Sequence, residues 1–122
     1  MPNQPSSEPA QFIQGCPVLH VPDVTTFAKY FQEILGFQWD FGDENYAVVW
    51  RDNSALHLMK GAHEPTGVHL FQWIRDVDAY HAEILPRGAN ITAQPSKTPY
   101  GLREFSVGGP CGISIVFGQD VE

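Results

Sequence analysis

The sequence is poor in basic residues, with seven Lys and Arg against fourteen Asp and Glu and a formal net charge of −7 at pH 7. A protein that binds nucleic acid usually presents a basic patch, and the few basic residues here are scattered. Cysteine is also scarce, because only Cys16 and Cys111 occur, which is too few for a disulfide framework. We therefore expect no nucleic-acid partner and no disulfide scaffold.

Long apolar runs are missing, since no segment reaches the roughly 18 apolar residues of a membrane span. The N-terminus lacks the basic and then apolar layout of a secretory signal. We therefore expect a cytoplasmic protein without a membrane partner. Two catalytic signatures are absent as well. Gly108-Gly109-Pro110 precedes a predicted strand rather than a helix, so it is no phosphate loop, and no G-x-S-x-G elbow occurs.

The length of 122 residues predicts one domain with its own core. The first ten residues are polar and hold three prolines, which predicts a flexible leader over residues 1–12. The domain then covers residues 13–122, with a first module at 15–60 and a second at 67–119. A segment with a proline and no periodicity, residues 61–67, joins the two modules.

Two similar phrases divide the chain. Val21-Pro22-Asp23-Val24 opens the first predicted helix, and Ile74-Arg75-Asp76-Val77 opens the second. Each phrase follows an apolar run, and each helical pattern ends near a glycine, Gly36 or Gly88. Short alternating segments follow both helices. The chain is therefore predicted to be α+β, with two paired β-α-β-β-β modules that form a curved mixed sheet with a concave cleft.

The predicted strands cover residues 16–21, 37–41, 46–51, 55–60, 68–74, 90–93, 102–107 and 113–117. Pro86 predicts a distorted last turn in the second helix. Residues 94–100, with two prolines, are predicted to form a long loop that could lie over the concave face.

Because successive side chains of a strand point to opposite faces, every second residue of each predicted strand lies on the face away from the helices. The predicted inward set is Cys16, His20, His57, Met59, His69, Phe71, Trp73, Glu104 and Val116. An aromatic-lined surface with a few polar groups is typical of a small-molecule site.

In this order, four phrases resemble the vicinal oxygen chelate superfamily, which includes glyoxalase I, extradiol dioxygenases and bleomycin resistance proteins. They are Pro17-Val18-Leu19-His20-Val21-Pro22-Asp23-Val24, Leu35-Gly36-Phe37, Tyr100-Gly101-Leu102-Arg103-Glu104-Phe105, and Gly109-Pro110-Cys111-Gly112 leading to Val116-Phe117-Gly118-Gln119. The resemblance covers residues 15–119 and is strongest to the bleomycin-resistance branch. It implies the glyoxalase/bleomycin resistance fold and a homodimer.

The metal enzymes of this superfamily place one ligand on each of four inward strands. The matching positions here are Cys16, His57, His69 and Val116, and valine cannot ligate a metal. Glu104, which is predicted to point inward on a neighbouring strand, is the candidate substitute for the missing ligand. Cysteine with two histidines suits zinc, whereas an oxygen-preferring ion would miss its carboxylate. Zinc, nickel, iron and manganese are the candidate ions.

The bleomycin-resistance branch needs no metal and traps a flat, often cationic drug between two subunits. Its stacking aromatics match Tyr46, Phe71 or Trp73, and Tyr100. An acidic chain with aromatics at these points suits a planar cation. The predicted ligand-binding residues are Tyr46, His57, His69, Phe71, Trp73, Tyr100 and Glu104.

Two functions therefore stay open. The leading interpretation is a small-molecule binding protein that sequesters a planar aromatic or amphipathic ligand in a dimer cleft without a cofactor. The alternative is a metal-dependent lyase, isomerase or extradiol-type dioxygenase that uses His57 and His69, with Cys16 or Glu104. Whether the protein is an enzyme is left open, and no catalytic residue is assigned.

Blander interpretations accompany these residues. The histidines also fit hydrogen-bonded groups in a polar pocket, and Cys16 fits a small buried hydrophobe. Arg103 and Glu104 fit an ion pair across the sheet. A third interpretation keeps the binding role but takes a ligand unrelated to antibiotics.

Overall fold

The computed structural model describes residues 6–121 and contains the same strand–helix–three-strand unit twice. The first module comprises β1 (Val18–Val21), α1 (Val24–Glu33), β2 (Gln38–Gly42), β3 (Tyr46–Arg51) and β4 (Ser54–Lys60). The second comprises β5 (His69–Trp73), α2 (Val77–Ile84), β6 (Ile91–Lys97), β7 (Leu102–Gly108) and β8 (Ser114–Asp120). Short 3₁₀ turns at Leu85–Arg87 and Pro110–Gly112 follow α2 and precede β8. The predicted α+β class is confirmed.

Each module folds into its own four-stranded mixed sheet. The strand orders are β1-β4-β3-β2 and β5-β8-β7-β6, and β1 with β4 and β5 with β8 are the parallel pairs. The remaining neighbours are antiparallel. A helix follows the first strand of each sheet, as a parallel crossover requires. No strand pairing joins the two sheets within residues 6–121.

Both helices begin at an aspartate cap. Asp23 and Asp76 have extended backbones, and each carboxylate accepts a 3.0 Å hydrogen bond from the backbone N–H three residues later, of Thr26 and Ala79. Such a cap satisfies a donor that the first helical turn leaves without a partner. The hydrogen bond also lowers the pKa of Asp23.

The second helix ends less regularly than the first. Pro86 lies in the 3₁₀ turn that follows α2, and Gly88 closes this turn at φ 91°. Proline cannot donate the hydrogen bond that an α-helix would need at this position, so the predicted distortion is confirmed. Gly36 follows α1 at φ 77°, in the left-handed region that favours glycine.

One hydrophobic core is shared by both modules. It combines buried residues of α1 and the first sheet with buried residues of α2 and the second sheet, among them Phe31, Leu58, Ile84, Phe105 and Phe117. Because the helix-covered faces of both sheets line this core, the open faces of both sheets point away from it.

Polar contacts also tie the two modules together. The Tyr80 hydroxyl donates to the Leu35 carbonyl at 2.7 Å. The Arg51 guanidinium donates to both carboxylate oxygens of Glu83 at 2.6 and 2.8 Å and lies 5.2 Å from the centre of the Tyr80 ring. These contacts join α2 to the segment after α1 and to the end of β3.

The loop prediction for residues 94–100 is wrong over its first half. β6 continues to Lys97, which pairs with Arg103, and Ser96 pairs with Glu104. Two register shifts in this pairing lie on the two sides of Ala93, and the second one spans Pro95. Proline within an edge strand is tolerated at such irregularities, which is why two prolines misled the prediction.

The leader prediction for residues 1–12 lies partly outside the described residues, because residues 1–5 are not described. Residues 6–17 contain no helix or strand, and the Phe12 and Ile13 side chains are exposed. β1 therefore begins two residues later than predicted. No helix in residues 6–121 is long and apolar enough to span a membrane.

Candidate functional site

The open face of the second sheet carries the aromatic residues that alternation predicted. Leu70 and Ile74 pack against the core, while Phe71 and Trp73 point away from it and are 40% and 51% exposed. Their ring centroids lie 4.9 Å apart with an angle of 59° between the planes. Two large aromatic side chains in contact on an exposed sheet face offer apolar surface for a flat ligand.

A carboxylate lies on the same face. Glu104 of β7 pairs with Gly118 of β8, and Gly118 pairs with Trp73 of β5, so the three residues form one row across the sheet. The Tyr100 hydroxyl donates to Glu104 Oε1 at 3.1 Å, which raises the pKa of the tyrosine because the bond favours its protonated form. The face therefore combines aromatic surface with negative charge.

Arg103 does not pair with Glu104. Its guanidinium donates to both oxygens of Asp78, each at 2.9 Å, and the pair lowers the pKa of that aspartate. The predicted ion pair is wrong because neighbouring residues of a strand point to opposite faces. Arg103 reaches α2 on the covered face, which leaves the Glu104 carboxylate without this arginine on the open face.

The open face of the first sheet carries a tyrosine–histidine pair. The Tyr46 hydroxyl lies 2.6 Å from His57 Nδ1, and the two rings meet edge to face at 5.6 Å. Val18 and Met59 are exposed beside them. Because the Tyr46 hydroxyl occupies Nδ1, only Nε2 of His57 remains for another partner.

The predicted metal ligands are not brought together within one chain. His57 and His69 lie on different sheets, and Val116 supplies no donor. Within residues 6–121, no three His, Cys, Asp or Glu side chains are close enough to hold a metal ion. The described residues of a single chain therefore do not fit a metal centre.

Cys16 is exposed, with its Sγ 3.3 Å from Gln14 Oε1. Its interpretation as a small buried hydrophobe is therefore wrong. β1 begins only at Val18, so the alternation that placed Cys16 on a strand does not extend to it.

A cleft of about 950 Å³ lies between the modules, with Ser54 of β4 and Gln72 of β5 among its lining residues. The Ser54 hydroxyl donates to Gln72 Oε1 across it at 2.7 Å. The Arg51–Glu83 contact at its edge was missed from the sequence, because the two residues belong to different modules and no local pattern pairs them.

Residues 14–117 match the Glyoxalase/Bleomycin resistance protein/Dioxygenase superfamily. The chain belongs to this superfamily. It is similar to the bleomycin-binding protein from bleomycin-producing Streptomyces verticillus, solved with copper(II)-bleomycin, with 28% identity, a TM-score of 0.78, and coverage of 93% of this chain and 99% of that one.

Two further solved structures share the fold. TnmS3, an antibiotic binding protein from a Streptomyces species, is 23% identical with a TM-score of 0.75 and coverage of 90% and 96%. A glyoxalase-related enzyme from Clostridium phytofermentans is 23% identical with a TM-score of 0.77 and coverage of 94% and 100%. No curated protein shows significant similarity to this sequence.

Proposed function

We propose that the protein sequesters a small planar aromatic or amphipathic molecule without reacting with it. The observation that carries this proposal is the exposed Phe71–Trp73 pair, whose Trp73 lies in one row across the sheet with Glu104. The similarity to a protein that binds bleomycin supports it. Protection of the cell would then depend on affinity and on protein abundance.

The binding energy comes from stacking and from charge. A flat ligand buries apolar surface against the Phe71 and Trp73 rings, and a cationic group gains from the ring faces and from Glu104. The net charge of −7 favours the approach of a cation. His57 and His69 supply polar anchors on the two open faces.

The proposed cleft is built by two chains. Both open faces point away from the shared core, so neither sheet can close over the open face of the other within one chain. A homodimer that sets the first sheet of one protomer against the second sheet of its partner would bring Tyr46 and His57 near Phe71 and Trp73. Sedimentation equilibrium tests this point, and a protein that stays monomeric at all concentrations contradicts it.

Ligand binding is tested by titrating copper(II)-bleomycin and the planar cation ethidium, followed by calorimetry and tryptophan fluorescence. Replacing Trp73→Ala should weaken binding by about fivefold, since aromatic contacts of this kind contribute about 1 kcal/mol. Trp39→Ala is the matched control and should bind as the wild type does, because Trp39 on β2 pairs with the core residue Val49 on the helix-covered face of the first sheet. Wild-type protein that binds neither probe would overturn the proposal.

Metal content distinguishes the alternative, a metal-dependent enzyme, from a binding protein without a cofactor. Protein purified without a chelator is analysed for metal beside the variants His57→Ala and His69→Ala. Stoichiometric metal that both substitutions remove would contradict a binder without a cofactor and would favour a metal-dependent enzyme assembled from two chains.

A further inference from the structure

Gly118 lies between Trp73 and Glu104 on the open face of the second sheet and is buried under Phe71. A Cβ placed on Gly118 would come within 3.0 Å of Phe71 Cε1 and closer still to Cζ. The tip of the Phe71 ring therefore occupies the space that any other residue at position 118 would fill.

The backbone does not require this glycine. Gly118 is not among the glycines with positive φ, so an L-residue could adopt its conformation. Glycine inside a strand lowers stability because it loses more chain entropy on folding and packs no side chain. A glycine that the backbone does not need, in the middle of β8, indicates that the space above it is used.

The parts of the proposed site meet around this position. Gly118 pairs with Trp73 on one side and with Glu104 on the other, and Phe71 leans over it from β5. With Phe71 in this place, the tip of its ring rests against the sheet and the residue is still 40% exposed. The ring thus forms the base of the surface between Trp73 and the Glu104 carboxylate.

We propose that Gly118 is a positioning residue for ligand specificity. Because this residue has no side chain, the Phe71 ring can contact the sheet between Trp73 and Glu104 and form the base of the binding surface there. The proposal rests on the proposed binding function. A side chain at position 118 would lift the ring, which would narrow the space between Trp73 and Glu104 and would favour smaller, less flat ligands.

The first test replaces Gly118→Ala and measures affinity for ethidium and copper(II)-bleomycin. Alanine fits the backbone here, and only a side-chain tip must move, so the variant should fold. Binding should weaken by about fivefold, the value of one aromatic contact. Gly15→Ala is the control, because a Cβ there would meet nothing within 4 Å. Unchanged affinity in Gly118→Ala would overturn the proposal.

A double-variant cycle shows whether Gly118 acts through the ring. Phe71→Leu should weaken binding as well, and adding Gly118→Ala to it should cause little further loss, because the ring that Gly118 positions is gone. If the fold-losses of affinity in the two single variants multiply in the double variant, Gly118 acts on the ligand independently of the ring, which contradicts a positioning role.

The second test needs no ligand. Because the tip of the Phe71 ring lies against Gly118, the α-protons of Gly118 should give a nuclear Overhauser effect to the Phe71 ring protons. Absence of this effect in the wild type would overturn the placement of the ring. If the wild type binds neither probe, the proposed function fails, and this measurement alone decides whether Gly118 positions Phe71.

Discussion

The two modules repeat one scaffold and differ in what they place on it. Strand order, parallel pairs and aspartate caps are the same in both. The open face of the first sheet carries the Tyr46–His57 pair, whereas that of the second carries the Phe71–Trp73 pair and Glu104. The repeated elements are those that the fold needs, and the differences lie on the surfaces that are free to take up function.

The helices differ in the same sense. Aligning the two caps sets Tyr80 opposite Phe27 and Glu83 opposite Tyr30, and both α2 residues reach back to the first module. α1 buries four residues, whereas α2 buries two. The first helix therefore mainly holds its own sheet, while the second also joins the modules.

Core truncation should show the largest difference between the helices. Phe31→Ala in α1 should lower the free energy of unfolding by about 3–5 kcal/mol, and Ile84→Ala at the equivalent position of α2 by about 2–4 kcal/mol, because a larger cavity costs more. Both side chains are fully buried. Urea unfolding measures the two values.

Leu85→Ala is the control for these substitutions. This side chain is 50% exposed next to α2, so its loss should change stability by about 0.5 kcal/mol at most. A greater loss from Ile84→Ala than from Phe31→Ala would contradict the view that α1 is the more deeply packed helix.

The glycines after the two helices allow a second comparison. Gly36 and Gly88 both have positive φ, so alanine should cost about 1–2 kcal/mol of backbone strain at either site. A Cβ at Gly36 would also approach Nη1 of Arg51 and of Arg87 to 2.7 Å, whereas at Gly88 it would meet nothing within 4 Å. Gly36→Ala should therefore be the more destabilising of the two in urea unfolding, and equal losses would contradict the close packing around Gly36.

Most of the fold was accessible from the sequence because it repeats local signals. Aspartate caps, helical stripes and alternating strands each depend on neighbours in the chain, and Pro86 indicated the distorted end of α2. The extent of β6 was not accessible. Pro95 lies at an irregularity of the strand pairing, and the last residues of β6 are held by pairing with Glu104 and Arg103 of β7, which no local pattern reveals.

The candidate site was accessible only in part. Alternation placed Phe71, Trp73 and Glu104 on one face, because side-chain direction in a strand is a local property. The partners of these residues were not accessible. That Arg103 reaches Asp78, and that Phe71 covers Gly118, depends on how α2 and β8 pack against their neighbours. Their roles in binding remain predictions.

The contact between the modules gives the smallest and most specific prediction. Arg51 holds the pKa of Glu83 below its usual value of 4.5, with Arg87 adding to the effect. A carboxylate whose pKa is lowered by folding stabilises the protein above its unfolded pKa, and this contribution is lost as the pH falls through the folded value. Glu83→Gln should lower stability by roughly 1 kcal/mol at neutral pH, because the pair is bidentate but about one-third exposed.

The pH dependence distinguishes this contact from simple packing. Stability of the wild type should fall as the pH drops below 4.5, and Glu83→Gln should flatten that fall, since the amide does not titrate in this range. Glu33→Gln in α1 is the matched control. The Glu33 side chain is 63% exposed and its carboxylate lies as far as 3.9 Å from the Lys29 ammonium, so this ion pair is weak and its loss should leave the stability profile nearly unchanged. If both variants follow the wild-type profile below pH 4.5, Glu83 does not join the modules through its charge, and the second helix differs from the first in packing alone.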